Sequence, residues 1–207
     1  MKNDDIVITS AFRTAIGSFN GSLSSKTAPE LGSTVIKKCI ENSELKKEEV
    51  DMVYMGQVLT AGAGQNPARQ ASILAGLPHE TTNTTVNQVC GSGLASVALA
   101  YNSIKCGDGK LVIAGGQESM SNSPHYMNIR KGIKMGDGKM KDSMIIDGLW
   151  DVYNQYHMGI TAENVAEKFQ IRREEQDSFA AASQRKAAEA IKEKKFVNEI
   201  VPVKIKF

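Results

Sequence analysis

The feature that most constrains the fold is an alternation of short β-branched runs with longer runs of helical spacing. The β-branched runs predict strands over residues 5–12, 51–59, 81–89 and 110–116, and a further run predicts one over 199–207. Strands that alternate with helices favour a mostly parallel sheet, because each crossover helix returns the chain to the same edge. We therefore predict an α/β fold with helices on both faces of the sheet.

Capping and stop signals place the predicted helices. Thr27 and Glu30 have the spacing of a capping box, and Pro67 suits the first position of a helix that begins near Asn66. A third helix follows residue 90 and ends at Gly107. Because this helix is apolar nearly all round, we expect it to be a central, buried helix.

The middle of the chain lacks a regular period. Residues 119–160 are rich in Met, Gly, Lys and Asp, and helical patterns return over 161–169 and 173–194. A long segment without clear periodicity inside a compact chain is usually functional or forms a small subdomain.

Composition excludes several classes of protein. The chain has 25 basic and 23 acidic residues, so its charge favours neither nucleic acid nor an anionic membrane as a partner. The three cysteines, Cys39, Cys90 and Cys106, are widely spaced and form no zinc pattern. The first residues lack the pattern of a signal peptide. We expect a soluble cytoplasmic protein with free thiols and no metal site.

One cysteine stands out by its position. Cys90, in the stretch NQVCGSGLAS, lies where a predicted strand ends and a predicted helix begins. Free N–H groups at a helix N-terminus favour a thiolate and can also hold an oxyanion, and ligands bind at the carboxyl ends of strands. From the residues alone, a nucleophile and a small buried side chain at a tight turn remain equally good interpretations.

Several segments in order resemble the thiolase family, closest to its biosynthetic, acetoacetyl-CoA type. They are NQVCGSGLASVALA around Cys90, GGQESMSNSPH (Gly115–His125), KMGDGKM (Lys134–Met140) and YHMGITAENVA (Tyr156–Ala166). The resemblance runs from Ile6 to Lys206. It implies the first half of the family fold, a five-stranded mixed sheet with helices on both faces and an inserted loop subdomain. The implied domains are 1–118, the loop subdomain 119–195, and a return strand 196–207, with the C-terminal half absent.

The resemblance also implies an activity, a Claisen condensation of two acetyl-CoA to acetoacetyl-CoA and CoA that also runs in reverse. Cys90 would carry the acetyl group as a thioester, with its backbone N–H in the oxyanion hole. Leu149, His157 and Met158 match residues beside the pantetheine chain of the substrate. Coenzyme A would be substrate and product, and no other cofactor is implied.

A basic loop, IRKGIKMGDGKMK, contains the third of these motifs. Arg130, Lys131, Lys134, Met135 and Lys139 match the family's oligomerisation loop, which implies a homo-oligomer, a dimer or more readily a tetramer. From the residues alone, the same loop is either solvated or a contact for CoA phosphates.

The family's activating histidine and second cysteine belong to its second half. Neither Cys39 nor Cys106 matches that cysteine, so we expect the 207-residue chain alone to be inactive and to be part of a longer thiolase. Two alternatives stay open: a non-catalytic or truncated thiolase-fold subunit, and a decarboxylating enzyme like the ketoacyl synthases. A thiol redox protein is disfavoured because no resolving cysteine lies near Cys90 in sequence. A dinucleotide-binding domain is disfavoured because the GxGxxG spacing is missing.

Overall fold

The computed structural model describes residues 5–43 and 45–205 of the 207-residue chain. Two compact units divide these residues. The first contains the described residues up to Gly148 together with 201–205, and the second is Leu149–Ile200. The domain boundaries that the sequence suggested, after residues 118 and 195, stay predictions.

The first unit is built on a parallel sheet of three strands. The central strand β1 (Met52–Gly56) pairs with β2 (Thr82–Val86) on one side and with β3 (Val112–Gly116) on the other. Met52 lies opposite Thr82 and Val112, so all three strands begin at the same level and end at one common edge. Each strand lies inside a predicted one, which confirms an α/β fold.

Helices cover both faces of this sheet: α1 (Ala28–Ser43), α2 (Pro67–Leu74) and α3 (Ser92–Cys106). Val53 and Met55 pack in the core with residues of α1 and α2. Tyr54 points to the other face, where its hydroxyl lies 2.9 Å from that of Ser103 on α3. Because side chains alternate along a strand, α3 lies on the face opposite α1 and α2. The buried core consists of Ile36, Val50, Val53, Met55, Ala68, Ala71 and Leu77.

The helix signals of the sequence are confirmed. The Thr27 backbone N–H donates to the Glu30 carboxylate at 2.8 Å, and the Glu30 N–H donates to the Thr27 hydroxyl at 3.4 Å. Asn66 caps α2 with Pro67 at its first position, and Gly107 ends α3 in the left-handed conformation at φ +82°.

The prediction of five strands in this sheet is wrong for the described residues. Residues 5–12 and 201–205 contain no strand, and the Val201 N–H donates to the Arg13 carbonyl at 2.8 Å. Lys206 and Phe207, within the predicted last strand, lie outside the described residues. Val7 and Ile8 remain 54% and 79% exposed. Their β-branched side chains favour extended backbone, but a strand also needs a partner for its backbone groups.

The apolar pattern of α3 predicted a central, buried helix, but within the described residues α3 is buried on one face only. Its buried residues all lie on the face toward the sheet: Ser92, Ser96, Ala100 and Ser103. Leu94 is 78% exposed and Tyr101 is 50% exposed. In the described residues, the sheet covers one face of α3 only, so an apolar pattern all round did not lead to complete burial.

Shorter elements follow β3, and the second unit is mainly helical. A two-stranded pair in the first unit joins β4 (His125–Tyr126) to β5 (Lys141–Asp142). The second unit contains the pair β6 (Trp150–Asp151) and β7 (Tyr156–His157), then α4 (Met158–Lys168) and α5 (Arg173–Lys192). Short helical turns lie at Lys47–Glu49, Met120–Asn122 and Ile145–Leu149. None of the described helices combines the length and the apolar character that a membrane crossing requires.

Candidate active site

Cys90 lies between the carboxyl end of β2 and the N-terminus of α3. Its side chain is exposed, whereas Cys39 is partly buried and burial raises the pKa of the Cys39 thiol. Cys106 is exposed at the far end of α3. Among the three thiols, only that of Cys90 combines exposure with the carboxyl edge of the sheet, where α/β proteins bind ligands.

The turn that presents Cys90 has an unusual backbone. Val89 adopts a left-handed conformation at φ +50°. The Gly91 N–H donates to the Gln88 carbonyl at 3.0 Å, and the Ser92 N–H donates to the Val89 carbonyl at 3.1 Å. A β-branched residue rarely adopts positive φ, and such a conformation costs about 1–3 kcal/mol. Surrounding interactions must therefore hold this turn in place.

Two polar side chains provide such interactions. The Ser92 hydroxyl accepts the N–H of Gln88 at 2.9 Å and donates to the carbonyl of Val89. The side-chain oxygen of Asn87 accepts the N–H of Val89 at 3.0 Å. Both backbone groups of Val89 are thus bonded to side chains within the motif around Cys90.

Glycines bring the start of α3 against the sheet. A Cβ on Gly56, the last residue of β1, would lie 2.6 Å from the backbone carbon of Ser92 and 2.7 Å from the nitrogen of Gly93. A Cβ on Gly116, the last residue of β3, would lie 3.4 Å from the Cα of Gly93. Only glycine at position 56 permits this approach, which sets the turn of Cys90 at the carboxyl edge of the sheet.

The backbone N–H of Cys90 makes no hydrogen bond to any of the described residues. It directly precedes Gly91, the N-cap of α3, where the helix dipole favours negative charge. A free N–H group beside an exposed thiol is a donor that can hold a carbonyl oxygen as negative charge develops on it.

A polar network that the sequence analysis missed joins the ends of β1 and β3. The carboxylate of Glu118 accepts the N–H groups of Val58 at 2.8 Å and Leu59 at 3.2 Å. Burial raises the pKa of Glu118, although these two hydrogen bonds act in the opposite direction. The amide of Gln117 donates to that of Gln57 at 2.9 Å. The sequence contains a signal for this network, because polar residues directly follow the ends of both strands. Gln57 follows β1, and Gln117 and Glu118 follow β3.

Two cavities lie near this network. One of about 300 Å³ is lined by Thr27, Gln57, Leu59, Gln70, Ser119 and Asn122, among others. A wider one of about 530 Å³ is lined by Asn66, Asn83, Thr85 and Asn87, among others. Cys90 lines neither of these two cavities and lies on an exposed turn.

The structure brings the three predicted substrate-binding residues of the second unit together. Trp150 pairs with His157 across the β6–β7 hairpin, so the preceding Leu149 and the following Met158 flank one end of it. The Nδ1 of His157 accepts the N–H of Gly159 at 3.0 Å and caps α4. Since Nδ1 accepts, the ring proton lies on Nε2, and this exposed ring can donate a hydrogen bond.

The predicted oligomerisation residues lie in the loop 127–140, which the β4–β5 pair closes. The base of the loop holds His125 Nε2 at 3.6 Å from a carboxylate oxygen of Asp142. Met135 is 94% exposed near the middle of the loop. The four predicted basic residues of this loop are likewise exposed: Arg130, Lys131, Lys134 and Lys139.

Comparison with known proteins identifies the family. Residues 6–207 match the model of the thiolase N-terminal domain. The acetyl-CoA acetyltransferase of Cupriavidus necator is 60% identical over 202 residues, which cover 97% of this chain and 51% of that protein. The acetyl-CoA acetyltransferase of Thiocystis violacea is 56% identical over 204 residues, 98% of this chain and 52% of that protein. The chain thus spans about half the length of the curated relatives it matches. It belongs to the thiolase family, of which it carries the N-terminal domain.

Proposed function

We propose that the complete protein is an acetyl-CoA C-acetyltransferase in which Cys90 carries the acetyl group. The observation that carries this proposal is the exposed Cys90 thiol beside a free backbone N–H, on a turn at the carboxyl edge of the sheet. The names of relatives that are 56–60% identical over this region support the substrate. They also favour this activity over that of a ketoacyl synthase.

The first half-reaction transfers an acetyl group. The Cys90 thiolate attacks the carbonyl carbon of acetyl-CoA, and the carbon–sulfur bond to CoA breaks. The departing CoA thiolate takes up a proton and leaves as free CoA. A thiol suits this step because the new thioester remains activated toward carbon nucleophiles and its thiolate leaves readily.

The second half-reaction forms a carbon–carbon bond. A second acetyl-CoA loses a methyl proton, and the resulting carbanion attacks the carbonyl carbon of acetyl-Cys90. The Cys90 sulfur leaves with the electron pair of its bond, and acetoacetyl-CoA forms. The resemblance assigns these proton transfers to a histidine and a cysteine of the family's second half, beyond the region matched here.

The backbone N–H of Cys90 would stabilise both tetrahedral intermediates. In each step a carbonyl oxygen beside the Cys90 sulfur becomes negatively charged. The Cys90 N–H is unpaired among the described residues and can therefore donate to this oxygen without rearrangement. Removing one such donor from an enzyme typically slows the reaction by about 10²–10³-fold.

Leu149, His157 and Met158 would hold the pantetheine chain of coenzyme A. Met158, 43% exposed, offers an apolar surface, and the Nε2–H of His157 offers a donor for an amide carbonyl. We propose coenzyme A thioesters as substrates with no further cofactor, and action in the cytoplasm without nucleic-acid or membrane partners.

The loop 127–140 would join subunits into a homotetramer. Its apolar side chains lie in solvent in the single chain, with Met135 at 94% and Met140 at 65% exposure. Exposed apolar side chains among basic ones are typical of a surface that another subunit covers.

The decisive experiment is the intact mass of the natural protein before and after incubation with acetyl-CoA. We expect one added acetyl group, located on Cys90, and none on the Cys90→Ala variant. An unmodified wild-type protein would instead support a non-catalytic subunit. Acetylation followed by condensation with malonyl but not acetyl thioesters would favour an enzyme like the ketoacyl synthases.

A further inference from the structure

We propose that Ser92 is a positioning residue for Cys90, a role that rests on the proposed function of Cys90. Its hydroxyl bridges two backbone groups of the turn: it accepts the Gln88 N–H at 2.9 Å and donates to the Val89 carbonyl. The bridge spans the peptides that immediately precede Cys90. It therefore determines the direction in which the chain enters residue 90.

The turn needs such a bridge because Val89 does not favour its own conformation. At φ +50° its branched side chain is crowded against the backbone, and negative φ is the relaxed state. A return of Val89 to negative φ would rotate the following peptide, which contains the Cys90 N–H. The free donor and the thiol would both change direction, so the bridge of Ser92 preserves the geometry on which acetyl transfer depends.

Ser92 is itself held rigidly, which lets it act on the turn. It is 4% exposed and begins α3, where its backbone packs against Gly56 at the end of β1. Asn87, the other side chain bonded to the turn, is exposed and makes one hydrogen bond to it, with the Val89 N–H. Of the two, Ser92 links the turn to the sheet and is the stronger determinant of its geometry.

A purely structural role for Ser92 makes a different prediction. Ser103 offers the matched comparison, since it lies on the same face of α3, is 8% exposed and bonds Tyr54 at 2.9 Å. Replacing either serine with alanine removes a buried hydroxyl and its hydrogen bonds. If Ser92 only stabilised α3, the two substitutions would have the same effect on acetyl transfer.

The test compares wild type, Ser92→Ala and Ser103→Ala in the protein at its natural length. Single-turnover acetylation of Cys90 is measured against acetyl-CoA concentration, together with the thermal midpoint of each variant. We expect Ser92→Ala to lower the saturating rate constant by about tenfold or more, since misplaced reacting groups cost this much. The acetyl-CoA concentration at half saturation should stay within about twofold, and Ser103→Ala should lower the rate by less than about twofold.

A rescue variant tests the mechanism directly. Asparagine adopts left-handed backbone more readily than valine, so Val89→Asn in the Ser92→Ala background should restore part of the lost rate. Acetylation of Ser92→Ala at the wild-type rate would overturn the proposal. The proposal would also be overturned if Ser103→Ala lost as much acetylation rate as Ser92→Ala and its thermal midpoint fell by the same amount.

A second measurement tests the role of Ser92 independently of the proposed acetyltransferase function. The rate at which iodoacetamide labels Cys90, measured on the peptide that contains it, needs no acetyl-CoA. We expect the labelling rate of Ser92→Ala to change by about threefold or more, because relaxation of the turn changes the direction and the accessibility of the thiol. If acetyl-CoA does not modify the wild type, that result contradicts the proposed function but not the role of Ser92. If iodoacetamide labels Ser92→Ala at the wild-type rate, that result overturns the role of Ser92.

Discussion

The carboxylate of Glu118 accepts the backbone N–H of Val58 at 2.8 Å and so ties the chain after β3 to the chain after β1. A second oxygen of the same group accepts the Leu59 N–H at 3.2 Å. These bonds connect the carboxyl ends of two neighbouring strands, at the edge of the sheet where the turn of Cys90 also lies.

Glu118→Gln should destabilise the protein by about 1–3 kcal/mol, because an amide has one acceptor oxygen and leaves a backbone N–H unpaired. The loss should depend on pH. Burial raises the folded-state pKa of Glu118 above 4.5, so the folded protein binds its proton more tightly than the unfolded chain. Stability from Glu118 is therefore fully present below pH 4.5 and declines as pH rises through the folded pKa.

Urea unfolding of wild type and Glu118→Gln, measured below pH 4.5 and above the folded pKa of Glu118, tests this pH dependence. The difference between wild type and Glu118→Gln should be larger at the lower pH. A difference that grows with rising pH would contradict the assigned direction.

Asp51, which directly precedes β1, should show the opposite pH dependence. Its carboxylate accepts the N–H groups of Lys110 at 2.7 Å and Leu111 at 3.1 Å, and the bond from Lys110 is the main cause of its lowered pKa. A lowered folded pKa gives stability that is present above 3.8 and is lost as pH falls through the folded value. Asp51→Ala should cost about 1–2 kcal/mol at neutral pH and less in acid.

Acid titration of the unfolding free energy of wild type and Asp51→Ala measures this prediction. The two curves should converge as pH falls. Parallel curves would show that the carboxylate at position 51 titrates alike in the folded and unfolded states.

Gly56→Ala should shift the start of α3, because the new Cβ would lie 2.6 Å from the backbone of Ser92. We expect a loss of about 1–3 kcal/mol in stability, as for other overpacked sites, and slower acetylation of Cys90. Gly115→Ala is the matched control, since a Cβ there would meet Met55 Sδ at an ordinary 3.6 Å. Thermal unfolding and single-turnover acetylation of both variants test this; equal behaviour would disprove the close approach.

His157→Asn separates the two functions of this side chain. Asparagine can replace Nδ1 as the cap of α4 but removes the Nε2 donor. We expect unchanged stability and an acetyl-CoA affinity that is about three- to tenfold weaker, the effect of one lost hydrogen bond. His157→Ala should lose the cap as well and unfold at lower temperature. Wild-type affinity in His157→Asn, measured by calorimetry, would exclude the proposed contact with substrate.

Met135→Asp tests the proposed oligomerisation loop. A charge at this 94% exposed position is harmless to a single chain but unfavourable in an apolar contact between subunits. Light scattering should show a smaller assembly for Met135→Asp than for the wild type, for which we propose a tetramer. Ile16→Asp, at a 91% exposed position outside the loop, should leave the assembly unchanged. A wild-type assembly in Met135→Asp would remove this loop from the interface.

Local signals in the sequence determined the α/β class, the three central strands and the positions of α1, α2 and α3. These features depend on neighbouring residues, such as the capping box of Thr27 and Glu30 or the left-handed Gly107. The position of Cys90 between a strand and a helix was predictable for the same reason. Its part in catalysis came from the resemblance to the thiolases and stays a prediction.

Only the tertiary structure decided which apolar segments are covered. Residues 5–12 and α3 have strongly apolar patterns, yet Ile8 is 79% exposed and Leu94 is 78% exposed. Pairing and burial depend on what packs against a segment, which a local pattern does not contain. The left-handed turn at Val89 and the bridge of Ser92 likewise arise where the ends of β1 and β2 meet α3. Valine at positive φ contradicts its local preference, and contacts from these elements stabilise it.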